Sequence, residues 1–186
     1  MTPAPSRRHV VLVGLPGSGK TTVGREAGSI LGARFSDIDQ EIERETGLSV
    51  PELFASRGES EFRRLEALAM GRALAGEPGI LAPGGGWAVQ PGNLDSAGEG
   101  ILLIYLAIAP AVAAGRLAGD TGRPLLAGGD LTRRLTALLA EREAWYRRAA
   151  IEIDASREVT VVAAAVVAAA RRFGGWGDGE RGTGNG

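Results

Sequence analysis

Four residues spaced to hold a phosphate stand near the start of the chain: Gly14, Gly19, Lys20 and Thr21, in the run GLPGSGKTTVG. They match G-x-x-x-x-G-K-[ST] in full, after the apolar run HVVLV (9–13) and before a helix-forming stretch, the context the motif requires. Glycines at such a corner let backbone N–H groups turn inward around phosphate oxygens, at the positive end of the following helix. Lys20 is the only lysine in the chain, every other Lys-or-Arg position being arginine. A compact ammonium on a long stem reaches β- and γ-phosphates inside a narrow nest. A planar guanidinium is wider and needs a fork of acceptors. Thr21 is expected to supply a hydroxyl to Mg²⁺, and Gly17, Ser18 and Thr22 to join Gly19 and Lys20 around ATP. The alternative is a glycine turn before an ordinary helix.

A second set of residues lies downstream. Asp37 and Asp39 stand two apart at the end of RFSDID (34–39), read as a strand, so both carboxylates can face one side, toward the phosphates. Alternatively both cap the next helix. Arg63 lies in GESEFRRLE (58–66), with Glu59 four residues before and Glu66 three after. That spacing suits a solvated, ion-paired helix face, or a guanidinium forked onto a carboxylate. Arg142, in REAWYRR (142–148), allows the same two readings. The run Gly84, Gly85, Gly86 follows an apolar stretch, where bare backbone lets a ligand approach closely. Trp87 comes directly after it, and either packs under that ligand or reshapes its pocket. Arg116 precedes, and Arg123 lies within, the glycine-rich AGDTGRPLLAGGD (118–130). An arginine on a mobile loop can swing over a transferring phosphoryl group. His9 opens the first strand and carries no assigned role.

The elements that must position these residues alternate. HVVLV (9–13), RFSDID (34–39), GILAP (79–83), ILLIYLAI (101–108) and IEIDAS (151–156) read as strands, with helix-length segments between them. Such alternation predicts an α/β fold, a parallel sheet with helices on both faces and ligands at the carboxyl ends of the strands. Ser49, Pro51 and Glu52 form a helix-start signature. Residues 131–150 read as an amphipathic helix with Leu131, Leu135, Leu138 and Leu139 on one side. The last helix, EVTVVAAAVVAAARRF, is β-branched enough at its start to allow a strand there. One domain is expected over residues 1–173, followed by an idle Gly-rich tail, 174–186.

Composition narrows the function. At 186 residues with 44% hydrophobic content the chain has the makings of a single soluble domain. It has no cysteine, so neither disulfides nor thiolate metal sites. No apolar run approaches a membrane span, and the N-terminus lacks the apolar core of a secretory signal. The net charge of −1 gives no pull toward nucleic acid or membrane. A cytoplasmic monomer acting on small molecules is the resulting expectation. With a single lysine, already used, the guanine signature N-K-x-D cannot exist, so a switch GTPase is excluded. ILLIYL ends in no acid, against the large ATPase machines. A small kinase acting on a small acceptor remains, or a non-catalytic nucleotide-binding module.

Taken in order, residues 14–24, DID (37–39), GESEFRRLE (58–66), GGG (84–86), RPLLAG (123–128) and REAWYRR (142–148) resemble the shikimate kinase family over about residues 9–157. The resemblance implies a P-loop kinase fold with a five-stranded parallel sheet, an acceptor-binding region near 37–66 and a lid near 116–130. It implies transfer of the γ-phosphoryl group of ATP to the 3-hydroxyl of shikimate, a polyol carrying a carboxylate, with Mg²⁺. Asp37 would help Thr21 hold the metal. Asp39 would bind acceptor hydroxyls and take the proton. Arg63 and Arg142 would hold the carboxylate, with Glu66 and Phe62 nearby, and Gly84 to Gly86 would face the acceptor ring. Arg123 would act from the lid, and Arg116 and Arg157 would lie at the adenine. Related kinases of gluconate or a nucleoside monophosphate stand as the alternative.

Overall fold

The structure is a computed structural model describing residues 7–118 and 130–177. Its five strands are β1 (His9–Val13), β2 (Phe35–Asp37), β3 (Ile80–Ala82), β4 (Ile101–Ala107) and β5 (Ile151–Asp154), all parallel in the order β2-β3-β1-β4-β5. Each falls within one of the segments read as strands. Every residue of β1 is buried, because both faces of a parallel sheet are covered by helices. Side-chain alternation divides it: Val10 and Leu12 join one core cluster, Val11 and Val13 the other. The strand order reverses at β1, and the phosphate loop leaves from its carboxyl end, where ligands bind in such sheets.

The helices are α1 (Lys20–Leu31), α2 (Ile38–Thr46), α3 (Val50–Ala75), α4 (Asn93–Ala97), α5 (Pro110–Leu117), α6 (Leu131–Tyr146) and α7 (Val159–Phe173). Two boundaries depart from expectation, and one open choice is settled. β2 stops at Asp37, whose Oδ1 accepts from the Gln40 amide at 3.2 Å and caps α2, so Asp39 lies in a helical first turn and not at a strand end. Ile38 and Ile42, one turn apart, are buried in the second cluster and hold that helix down. α6 ends at Tyr146, four residues before the expected 150. α7 is helical throughout: Val162, Val166 and Ala170 repeat every four residues along its buried face, and burial outweighs β-branched propensity. At α3 the expected signature is present, with Ser49 and Glu52 forming a reciprocal capping box.

Residues 174–177, expected to belong to the tail, are packed against the domain. Trp176 is 3% exposed within the first core cluster, and its Nε1 donates to Arg8 O at 2.9 Å. The Arg7 guanidinium lies 5.1 Å from its ring centroid. Residues 174–177 therefore close the amino end of the sheet, and 178–186 lie outside the described residues. A chain ending at 177 is expected to unfold in urea as the full chain does. One ending at 175 should lose about 3 kcal/mol, as for other buried aromatic deletions. Equal midpoints for the two would show that the Trp176 contacts contribute nothing.

Candidate active site

The turn from β1 into α1 is built to leave an anion site open. Gly19, the N-cap, sits in the left-handed region (φ 88°, ψ 17°), which an L side chain would reach only with strain. It offers no side chain to cap the helix, and the first turn of α1 carries no acid. The free amides and positive helix end are thus left for an external anion. Lys20 Nζ folds back to donate to Gly14 O at 2.9 Å and Leu15 O at 3.1 Å. Ser18 departs from its expected place: its amide donates to Leu15 O at 3.1 Å, and its buried hydroxyl lies behind the loop beside Gly14. Thr21 Oγ1 donates to Asp37 Oδ2 at 2.6 Å. One carboxylate thereby caps α2 and reaches the first turn of α1.

From this loop a cavity of about 1140 Å³ runs to α3 and α6. Gly17, Gly19, Lys20, Thr21, Thr22, Arg116 and Arg157 line one end; Asp39, Arg63, Arg142 and the glycine run line the other. The three glycines each face a different group. A Cβ on Gly84 would stand 2.8 Å from Glu66 Oε1 and 3.0 Å from Asp39 Oδ1. On Gly85 it would lie 3.1 Å from Arg142 Nη1, and on Gly86 2.5 Å from Arg63 Nη2. The bare backbone is what allows two carboxyl and two guanidinium groups to converge here. Trp87 lies outside the cavity, buried beneath the run among Phe62 and Tyr146.

Arg63 donates through Nη1 to Glu66 Oε2 at 2.7 Å, and through Nη2 and Nε to Glu59 Oε1 at 3.2 and 3.3 Å. Glu66 is 1% exposed, and its Oε1 has no hydrogen-bond partner among the described residues. Burial pushes its carboxyl up to about 7 and the Asp39 charge adds to this, while Arg63 and Arg142 pull it down. Folding therefore raises this group above its ordinary value of 4.5. The stability it contributes is complete below that value and lost as pH rises through about 7. Glu66→Gln, which mimics the protonated form, is expected to gain on the native chain by up to roughly 3 kcal/mol between pH 5 and 8. Urea titrations across that window measure it, and a pH-independent difference would mean that Glu66 is ionised throughout.

The sequence reading passed over Tyr146. Its hydroxyl donates to Gly85 O at 2.6 Å and its ring lies 5.3 Å from that of Tyr105, tying α6 to the glycine run and to β4. The signal was its place four residues after Arg142, on one face of the helix. At the nucleotide end, Arg116 donates to Ser156 O at 3.2 Å and more weakly to Arg157 O and Gly17 O, joining the phosphate loop to the loop after β5. Arg123 lies outside the described residues. Among the described residues no three His, Cys, Asp or Glu side chains gather as a metal cage, and no helix is long and apolar enough to cross a membrane.

The family model described as shikimate kinase matches residues 16–171. A shikimate kinase from Mycobacterium avium (strain 104) is 47% identical over 148 residues, covering 79% of this chain and 84% of its own length. Among solved structures, a shikimate kinase from Acinetobacter baumannii in complex with shikimate superposes with a TM-score of 0.82 at 32% identity, covering 88% of this chain and 92% of that one. A gluconokinase from Sinorhizobium meliloti 1021 reaches 0.59 at 18% identity, covering 90% of this chain and 94% of that one, a likeness of fold alone.

Proposed function

The chain belongs to the shikimate kinase family, and we propose that it transfers the γ-phosphoryl group of ATP to the 3-hydroxyl of shikimate. The observation that carries this reading is the single cavity joining the Lys20 loop to the Arg63–Arg142 pair, with Asp39 and the glycine run between them.

Lys20 and the first-turn amides of α1 hold the β- and γ-phosphates. Thr21 and Asp37, a hydroxyl and a carboxylate 2.6 Å apart, are hard oxygen donors suited to Mg²⁺, which otherwise keeps phosphate and water ligands. When bound, that ion neutralises charge on the phosphates. Arg63 and Arg142 take the acceptor carboxylate, bidentate recognition that guanidinium groups favour. Asp39, beside Gly84, accepts the hydrogen bond of the attacking hydroxyl and orients it. The bond from the γ-phosphorus to the acceptor oxygen forms as that to the β–γ bridging oxygen breaks, and the hydroxyl proton passes to Asp39. Phosphoryl transfer is catalysed mainly by positioning and charge stabilisation, so Asp39 need not be a strong base. Arg123 supplies further charge to the transferring group, and Arg116 and Arg157 flank the adenine.

The test is ADP release in the presence of MgATP and shikimate, with gluconate and a nucleoside monophosphate as rival acceptors. Release that requires shikimate supports the reading. Release with gluconate instead, or at the same rate with no acceptor, overturns it.

A further inference from the structure

Arg63 already holds two carboxylates, and they differ in every respect that decides which can leave. Glu66 accepts from Nη1 at 2.7 Å with a side chain 1% exposed. Glu59 offers one oxygen to Nη2 and Nε at 3.2 and 3.3 Å, with a side chain 64% exposed. Charge-assisted hydrogen bonds usually run to about 2.7–2.9 Å. The Glu66 bond is in that range and the Glu59 contacts are longer. Yet Nε and Nη2 form an edge of the guanidinium that matches the two oxygens of a carboxylate. Glu59 also lines the cavity with Arg63.

The backbone allows Glu59 to withdraw. α3 is broken at Gly58 (φ 79°, ψ 167°), immediately before it, and a Cβ there would meet nothing within 4 Å. Glycine is needed at this point for its backbone angles and not for space. Glu59 therefore opens the second segment of α3, held by its contacts to Arg63. The charges give a reason for it to move. Asp39, Glu59 and Glu66 share the acceptor end with Arg63 and Arg142, so an anionic acceptor enters against three carboxyl groups.

We infer that Glu59 is a built-in competitor for the acceptor carboxylate, occupying the Nε–Nη2 edge of Arg63 until the acceptor displaces it and so setting the affinity for the acid. This rests on Arg63 as the carboxylate anchor of the proposed reaction. An exposed pair one helical turn apart stabilises a helix by only a few tenths of a kcal/mol, so displacement is easy and the effect on affinity modest.

Glu59→Gln keeps the size and helix propensity of the side chain and removes its charge. The Michaelis constant for shikimate is expected to fall roughly 1.5- to twofold, with that for MgATP unchanged. Glu61→Gln is the control: Glu61 pairs with Arg64 at 2.7 Å on the same helix, away from the cavity, and its loss should leave both constants unchanged. With the uncharged methyl ester of shikimate the gain from Glu59→Gln should vanish. A Michaelis constant for shikimate that rises or stays level in Glu59→Gln overturns the competitor role, since a residue that merely supports Arg63 moves it upward. A native chain that turns over no shikimate overturns the reaction itself and this inference with it.

Discussion

Lys20→Met is expected to lower kcat by on the order of 10³-fold or more while the chain still folds. Lys20 is the one side chain of the phosphate loop that carries a full positive charge. Its Nζ rests on Gly14 O and Leu15 O, at the rim of the nest it must enter. Removing a preorganised donor aimed at developing charge typically costs 10²–10³ in rate, and a full charge on the transferring group is worth at least as much. The fold should survive, because Lys20 only half-buries its stem and the loop conformation is held by glycine geometry and the Ser18–Leu15 turn. Lys20→Arg separates charge from shape: if the nest is too narrow for a guanidinium, this variant is nearly as inactive. Circular dichroism establishes folding and an ADP-release assay gives the rate. A Met variant with more than a tenth of native activity would remove Lys20 from the chemistry.

The parts of this molecule that follow a period or a motif were legible in its residues. Short runs between helix-length segments marked all five strands, and β1, β3 and β4, the ones buried on both faces, are nearly all apolar because they have no polar side to show. The phosphate motif put Gly19, Lys20 and Thr21 where β1 turns into α1, because its glycines fix a backbone path. The acceptor end was legible only as a choice. Nothing in GESEFRRLE says whether Arg63 faces solvent or cavity; in the structure it is paired within its helix and lines the cavity. Three features were not legible, one resting on a local cap and two on contacts far apart in the chain. The Asp37 cap moved Asp39 from strand to helix by a hydrogen bond that alternation cannot register. Trp176 sits among glycines that suggest a loose tail, but finds the Arg8 carbonyl 168 positions earlier. The Tyr146 bond to Gly85 joins residues 61 apart. Trp87, ambiguous in sequence, supports the glycine run from beneath.

Arg63→Ala should raise the Michaelis constant for shikimate about a hundredfold and leave that for MgATP nearly unchanged. A charge-assisted, two-pronged hydrogen bond is worth about twice a neutral one. The loss of such a bond, about 1.5–3 kcal/mol in general, spans roughly ten- to 150-fold in affinity. Ala also strands Glu66, a buried carboxyl that accepts from Arg63 at 2.7 Å. Leaving a buried charge unpaired can unfold a protein. Here the protonation state decides. Arg63 is the main influence holding the Glu66 carboxyl down, so its removal lifts that group further above about 7 and Glu66 takes up a proton at neutral pH. The cavity then contains a neutral acid and not an orphaned anion. Arg63→Ala is accordingly expected to be close to native stability at pH 6 and to fall behind the native chain by pH 8, which melts at the two pH values resolve. Kinetics at pH 6.5 then report acceptor binding with little contribution from misfolding. Arg63→Lys retains the charge but loses the fork, and should fall between the two, with a Michaelis constant about tenfold above native. Equal increases for shikimate and MgATP in the Ala variant would mean that Arg63 supports the whole cleft, and carboxylate recognition would have to rest on Arg142 alone.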